Sequence, residues 1–193
     1  MMKATSPHLL ENLAHIASLT ADAMQLLIDN ANTEVVNKGD YLLREGQYCQ
    51  YIWFIETGAC RAFHDKDTRE INTAFYFENT FFTDMKSLRN NTSTEYNLQA
   101  MEKTILWKWH KDTLSQLYQL SPEITAFGRQ WLEHLLIVQE THIQWLTKNT
   151  PEERYQAILT HYPELVQRVT LTQLCSYLGI SRETLSRIRR RLQ

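Results

Sequence analysis

Residues Thr170–Gln193 read TLTQLCSYLGISRETLSRIRRRLQ, and the parsing of this stretch decides how the rest of the chain is organised. Thr170 can cap a helix on which Leu171, Leu174, Tyr177 and Leu178 share one face. Gly179 ends that helix by supplying positive φ for a tight turn. Ile180 packs into the corner, Ser181 caps a second helix and Arg182 begins it. Leu185, Ile188 and Leu192 step by three and four, which holds one face of the second helix on a small core. Two short helices joined by a Gly-containing turn of about three residues form a helix-turn-helix. From Arg182 to the end there are five arginines against one acid, a charge of +4 that leaves −6 on the other 181 residues. Such asymmetry points to a surface for an anionic partner, with double-stranded DNA the first candidate.

In a unit of this kind the second helix enters the major groove with its N-terminal residues facing base edges. Arg182 and Arg187 each offer a bidentate fork to guanine O6 and N7, and Glu183 can accept from a cytosine amino group. A carboxylate among phosphates is a poor device for non-specific binding, so Glu183 argues for sequence reading. Thr172, Ser181, Thr184 and Ser186 are short donors suited to phosphates, and Arg189, Arg190 and Arg191 add charge for the DNA backbone.

The bulk composition limits the alternatives. With 193 residues, 43% apolar and 22% charged, five Gly and four Pro, the chain is expected to be globular. The start MMKATSPHLLENLAHIASLT lacks the pattern of a signal peptide, and no stretch is apolar over the roughly 18–20 residues needed to cross a bilayer. A cytoplasmic protein with no membrane partner is expected. Cys49, Cys60 and Cys175 make no C-x-x-C pair, and three cysteines exclude a four-cysteine iron–sulfur cluster within one chain. They are expected to be buried thiols. No nucleophile elbow, zinc-protease helix, Walker loop or dinucleotide Gly-rich turn is present, so an enzyme is not expected.

The chain changes character twice. Spaced Leu and Ile over residues 8–30 predict one or two short helices. From Glu34 to Trp109 the segments EVV, YLLRE, YIWFIETG, CRAFHD, INTAFYF, EYNLQA and TILWKW alternate with turn residues. Seven or eight such strands predict a sandwich, barrel or jelly roll. Ser121-Pro122-Glu123 then starts a helix reaching about Lys148. Along it Ile124, Phe127, Trp131, Leu135, Val138, His142 and Trp145 form a heptad seam, and Leu132, Leu136, Ile143 and Leu146 a second stripe. One stripe is expected to lie on the chain's own β domain and the seam to meet a second subunit across a two-fold axis. The alternative is a helix fully wrapped in its own monomer. His142 reads as a packed residue, since no second metal ligand lies at i±4. Thr150-Pro151-Glu152-Glu153 repeats the start signal and marks a hinge before a helix that stops ahead of Pro163.

LGISRETLSR closely resembles the recognition element of the Crp/Fnr transcription regulators. In that family the S-R-E-T-x-x-R run contacts bases through both arginines and the glutamate, which correspond to Arg182, Glu183 and Arg187. The order of parts is similar over nearly the whole chain, and Lys38-Gly39-Asp40, Glu45-Gly46 and Thr57-Gly58 stand where the family's β-roll has its turn glycines. The resemblance implies an α+β protein. Residues 1–120 would form a double-stranded β-helix (jelly-roll) effector domain of the cyclic-nucleotide-binding type, preceded by helices. Residues 121–149 would be the dimerisation helix, and 150–193 an all-α winged-helix-like DNA-binding domain. Many members continue into a β-hairpin wing; this sequence stops at Gln193, so wing contacts are not expected. The resemblance also implies RNA polymerase as a partner and a signal that changes the angle of the DNA-binding domain through the long helix and the hinge.

Members that bind cyclic AMP hold its ribose with a Gly-Glu pair and its phosphate with an Arg-Ser pair about ten residues later. Aligned without gaps through Gln99-Ala100, the present chain has Thr83-Asp84 and Thr94-Glu95 there. Asp84 retains a ribose acceptor, but a carboxylate at Glu95 without an arginine repels a phosphate. Lys86 or Arg89 are the candidate replacements. Control by cyclic AMP in the usual way is therefore not expected; the effector is unknown and no cofactor is predicted, although seven histidines leave non-covalent haem open. The aromatic run Phe75, Tyr76, Phe77, Phe81 and Phe82 reads as ordinary core, with an apolar ligand pocket as the alternative. A cyclic-nucleotide-binding module that docks a protein partner is the competing function.

Overall fold

The computed structural model describes residues 7–16, 18–67 and 69–192; the expected domain limits at Met1 and Gln193 lie outside them. Two helices, α1 (Pro7–Ile16) and α2 (Ala21–Asp29), precede eight strands: β1 (Asn32–Val36), β2 (Tyr41–Leu43), β3 (Tyr51–Thr57), β4 (Cys60–Lys66), β5 (Arg69–Tyr76), β6 (Phe81–Phe82), β7 (Asn97–Ala100) and β8 (Thr104–His110). A short helix α3 (Met85–Asn90) lies between β6 and β7. After β8 come α4 (Lys111–Leu120), α5 (Pro122–Lys148), α6 (Pro151–His161), α7 (Pro163–Arg168), α8 (Leu171–Leu178) and α9 (Arg182–Leu192). The strands form two four-stranded sheets, ordered β1-β8-β3-β6 and β2-β7-β4-β5. This is a jelly-roll-like arrangement followed by helices, a mixed α+β chain.

Strand alternation builds the core of the first sheet. On β3, Ile52 and Phe54 point to one side; on β8, Trp107 and Trp109 do the same, with Phe54 opposite Trp107 in register. That face is covered by Leu9 and Leu13 of α1, Leu27 and Ile28 of α2, Leu114 and Leu117 of α4, and the start of α5. Trp109 Nε1 donates to the Leu27 carbonyl at 2.8 Å, so the indole buries its body without losing its hydrogen bond. Glu123 at the N-terminus of α5 accepts from both the backbone N–H and the hydroxyl of Thr20, each at 2.8 Å. These donors hold the Glu123 carboxyl below its ordinary pKa. Tyr118 lies so close to Gly128 that a Cβ there would meet its hydroxyl at 2.8 Å, which fixes α4 against α5.

Of the aromatic run, Phe81 and Phe82 are buried in the core, while Phe75, Tyr76 and Phe77 are half-buried. Phe81 packs on Phe54, Trp109, Phe127 and Trp131, with centroids 4.7–6.0 Å apart, and Phe82 stacks on Trp53 and Tyr76. The cavity left around Phe81 is about 20 Å³, below the several hundred Å³ of an ordinary ligand pocket. Cys49, Cys60 and Cys175 are free and buried, and burial first, then Glu102, pushes the Cys60 thiol up to about 12.

The long helix corrects the sequence reading. Ile124, Phe127 and Trp131 are 0%, 8% and 4% exposed and belong to the chain's own core, with Leu135 packed against it. His142 stacks on Tyr177, Trp145 meets the same ring at a tilt, and Val138 is exposed. The stripe assigned to the protein's own domain is instead the open one: Leu132, Leu136, Ile143 and Leu146 are 43%, 71%, 59% and 38% exposed. Both stripes have heptad spacing, and spacing does not say which of them meets the β-sheet.

The chain clusters into two compact units. One comprises Met1–Arg61 and Tyr76–Leu135; the other comprises Ala62–Phe75 and Leu136–Gln193. The outer part of the β4–β5 hairpin thus belongs with the C-terminal helices. Within that second unit Tyr155, Ile158, Leu165, Leu174, Cys175, Leu178, Leu185 and Ile188 are buried. No strand occurs among the described residues after β8.

Candidate nucleic-acid interface and effector pocket

Local capping sets α8 and α9. Thr170 Oγ1 accepts from the Gln173 N–H at 3.2 Å while Gln173 Oε1 accepts from the Thr170 N–H at 2.9 Å, a reciprocal capping box. At the other end Gly179 has φ +67, and the Ile180 N–H returns to the Cys175 carbonyl at 3.0 Å. This left-handed turn redirects the chain within two residues. Ser181 Oγ then accepts from the Thr184 N–H at 3.2 Å and starts α9. The apolar face of α8 is Leu174, Cys175 and Leu178; Leu171, expected on it, is 42% exposed, and Tyr177 turns to the hairpin.

At 100° per residue, α9 places Arg182, Glu183, Ser186, Arg187 and Arg190 within an arc of about 140°, and all five are exposed. Leu185 and Ile188 are buried opposite. Arg182 donates to Thr172 Oγ1, linking the first turn of α9 to α8. Arg187 Nη2 reaches Thr184 Oγ1 at 3.3 Å. The Ser181 hydroxyl, the helix-start N–H and the flanking Arg182 and Arg187 hold the Glu183 carboxyl below its ordinary pKa, so it is an anion and an acceptor at neutral pH.

Two of the expected phosphate contacts are otherwise placed. Arg189 Nε donates to the Tyr155 hydroxyl at 2.9 Å, and its guanidinium lies 5.6 Å from that ring, so Arg189 braces α9 on α6. Its position beside the apolar face sends the aliphatic stem inward. Arg191 pairs with Glu152 at 3.4 Å on the surface. Thr184 is half-buried, while Thr172, Ser181 and Ser186 are exposed.

The residues aligned with a cyclic-nucleotide pocket are mostly engaged in holding their own loop. Asp84, 4% exposed, caps α3 by accepting from the Ser87 N–H at 3.0 Å. Thr83 Oγ1 donates to the Tyr51 carbonyl at 2.8 Å. Thr94, also buried, exchanges backbone bonds with Gly46 and Gln47 and donates its hydroxyl to the Tyr96 carbonyl. Glu95 is exposed and ion-paired with Lys86, so the charge of Lys86 is directed at a carboxylate; Arg89 is exposed in the last turn of α3. A residue the sequence did not flag is Arg61 on β4, a buried cation whose Nε and Nη2 donate to Gln99 Oε1 at 3.1 and 2.7 Å. Its only sequence signal is a charge between Cys60 and Ala62 in an otherwise apolar strand start.

The architecture is a two-sheet roll with a short helix between β6 and β7, followed by a long helix and a basic two-helix unit. Residues 33–121 match the cyclic nucleotide-binding domain family. It is 26% identical over 121 residues to the cAMP-dependent protein kinase regulatory subunit of Debaryomyces hansenii, a match covering 63% of this chain and 25% of that protein. The chain thus spans only a quarter of that relative. Among solved structures, the catabolite activator protein of Thermus thermophilus aligns with TM-score 0.58 at 20% identity, covering 94% of this chain and 86% of that one. A protein of Eubacterium rectale assigned to the Crp/Fnr transcriptional regulators aligns with TM-score 0.68 at 19% identity, covering 91% and 84%. The fold is that of the Crp/Fnr regulators. No helix among the described residues is long and apolar enough to cross a membrane.

Proposed function

We propose that the protein is a DNA-binding transcription regulator of the Crp/Fnr type, reading an inverted repeat as a homodimer with α8 and α9 as its helix-turn-helix. The observation that carries this reading is the exposed arc of α9 on which Arg182, Glu183, Ser186, Arg187 and Arg190 stand together, opposite the buried Leu185 and Ile188. Arg182 and Arg187 are the guanine readers, Glu183 the cytosine reader, and Arg190, Thr172, Ser181 and Ser186 the phosphate contacts. The dimer is held by the open stripe of α5, where Leu132, Leu136, Gln139, Ile143 and Leu146 alternate steps of four and three. Two α9 helices about 34 Å apart then occupy successive major grooves. RNA polymerase is the protein partner in this reading.

Selection of bound sites from random duplexes tests it. The wild type is expected to enrich an inverted repeat, and Arg182→Ala and Glu183→Ala to relax the preference at one symmetric base pair each, by about 1–3 kcal/mol per contact. Binding that merely fades with salt, with no sequence enriched, would remove the reading's main support.

The family match of residues 33–121 favours a second reading, a cyclic-nucleotide module acting through a protein partner. Against it stand the exposed Lys86–Glu95 pair and the absence of an arginine at Thr94. Calorimetric titration with cyclic AMP is expected to give no saturable heat; micromolar binding would make the second reading the better one.

A further inference from the structure

Ser176 on α8 makes two hydrogen bonds to the backbone of β5. Its Oγ accepts from the Asn72 N–H at 2.9 Å and donates to the Glu70 carbonyl at 2.8 Å. β5 ends its sheet in the order β2-β7-β4-β5, so these groups lie on an edge strand whose ladder would otherwise continue outward. A single hydroxyl thus stands in for the next strand. Beside it, Phe75 of β5 meets the Tyr177 ring edge-on at 5.3 Å, and Tyr177 is backed by His142 and Trp145 at 5.6 and 5.7 Å. Burial pushes the Tyr177 hydroxyl up to about 12. All these residues belong to one compact unit.

The location matters because Ser176 lies four residues after Thr172. Residues i and i+4 sit on one helix face with Cβ atoms about 5–6 Å apart. The hairpin strand therefore lies one turn from the threonine that receives Arg182, on the same face of α8. Thr172 is exposed, and a phosphate backbone bound there would pass within one helical turn of the hairpin strand. The segment His64–Glu70 adds three carboxylates, Asp65, Asp67 and Glu70, against Lys66 and Arg69.

We infer that the β4–β5 hairpin is an autoinhibitory latch on α8: through Ser176 and the Phe75–Tyr177 contact it occupies the face that duplex DNA must approach, and binding requires its release. The inference rests on the reading of α9 as the DNA-contacting helix. A latch that holds most molecules closed lowers apparent affinity by the fraction that is open, so loosening it raises affinity with no new contact to DNA.

The test uses two independent variants of the full chain, Ser176→Ala and Phe75→Ala, with two readouts. Amide exchange at Asn72 is expected to be protected in the wild type and at least about tenfold faster in Ser176→Ala, whose acceptor is gone. Affinity for the selected duplex, measured by anisotropy, is expected to rise at least about fivefold in both variants. Asn72 exchanging in the wild type at the rate of an unprotected amide overturns the latch. Faster exchange with unchanged or weaker DNA binding in both variants overturns its inhibitory role and leaves the α9 reading standing. A chain that binds no duplex in either the latched or the loosened form sinks the α9 reading, and the inference with it.

Discussion

Leu136→Glu combined with Ile143→Glu is expected to leave the monomer folded and abolish the dimer. Both side chains are exposed in the single chain, at 71% and 59%, and substitutions at such positions usually change monomer stability by less than about 0.5 kcal/mol. In the proposed pair of helices the same positions form the seam, where two glutamates per chain would be desolvated beside their symmetry mates. Sedimentation should give a single species of monomer mass. Affinity for an inverted repeat should fall by a factor on the order of 10² to 10⁴, because the second half-site is no longer tethered to the first. A double variant that still sediments as a dimer would show that α5 pairs through another face or that the chain dimerises elsewhere.

Trp131→Ala has the opposite signature. Its ring is 4% exposed and packs on Phe81 at 6.0 Å, where α5 crosses the first sheet. Truncating a buried aromatic of this kind costs about 3–5 kcal/mol, a fall in Tm on the order of ten degrees for a chain of this size. Denaturant unfolding should report that loss with an unchanged m value and, for protein still folded, no change in oligomeric state. Had Trp131 faced a second subunit, as the heptad pattern taken by itself predicts, its truncation would act on association and spare the monomer. The two variants together therefore determine which side of α5 is core and which is seam.

Much of the candidate interface was legible because it is built from interactions within four residues. Thr150 and Thr170 each close a capping box, Ser181 starts α9, and Gly179 turns left-handed. The three caps are bonds between a side chain and a backbone amide three residues on, the Gly179 turn needs only the φ of that residue, and one sequence window contains all the partners. The strand segments were legible for a similar reason, since a period of two and turn residues such as Gly39, Gly46 and Gly58, all at positive φ, are local features. Less was legible where a helix lacks such a start. α4 is capped by His110 Nδ1, an unusual acceptor for the Asp112 N–H, and α7 begins at Pro163 with no side-chain cap at all.

Sequence by itself determined the run of strands, the long helix that starts at Pro122, the two-helix end of the chain, and the polar arc of α9 with Arg182, Glu183 and Arg187 upon it. All of these follow from residue type and spacing along one chain. Only the tertiary structure decided which of two equivalent stripes on α5 meets the sheet, that Arg189 turns to Tyr155, that Lys86 pairs with Glu95, that Arg61 is buried against Gln99, and that Ser176 closes the edge of β5. The physical reason is one of distance along the chain. Trp131 and Phe81, Arg189 and Tyr155, Arg61 and Gln99, and Ser176 and Asn72 are each separated by tens of residues. Such partners meet only once the elements have packed, and the hydrophobic burial that packs them has no direction and no period from which the choice could be read.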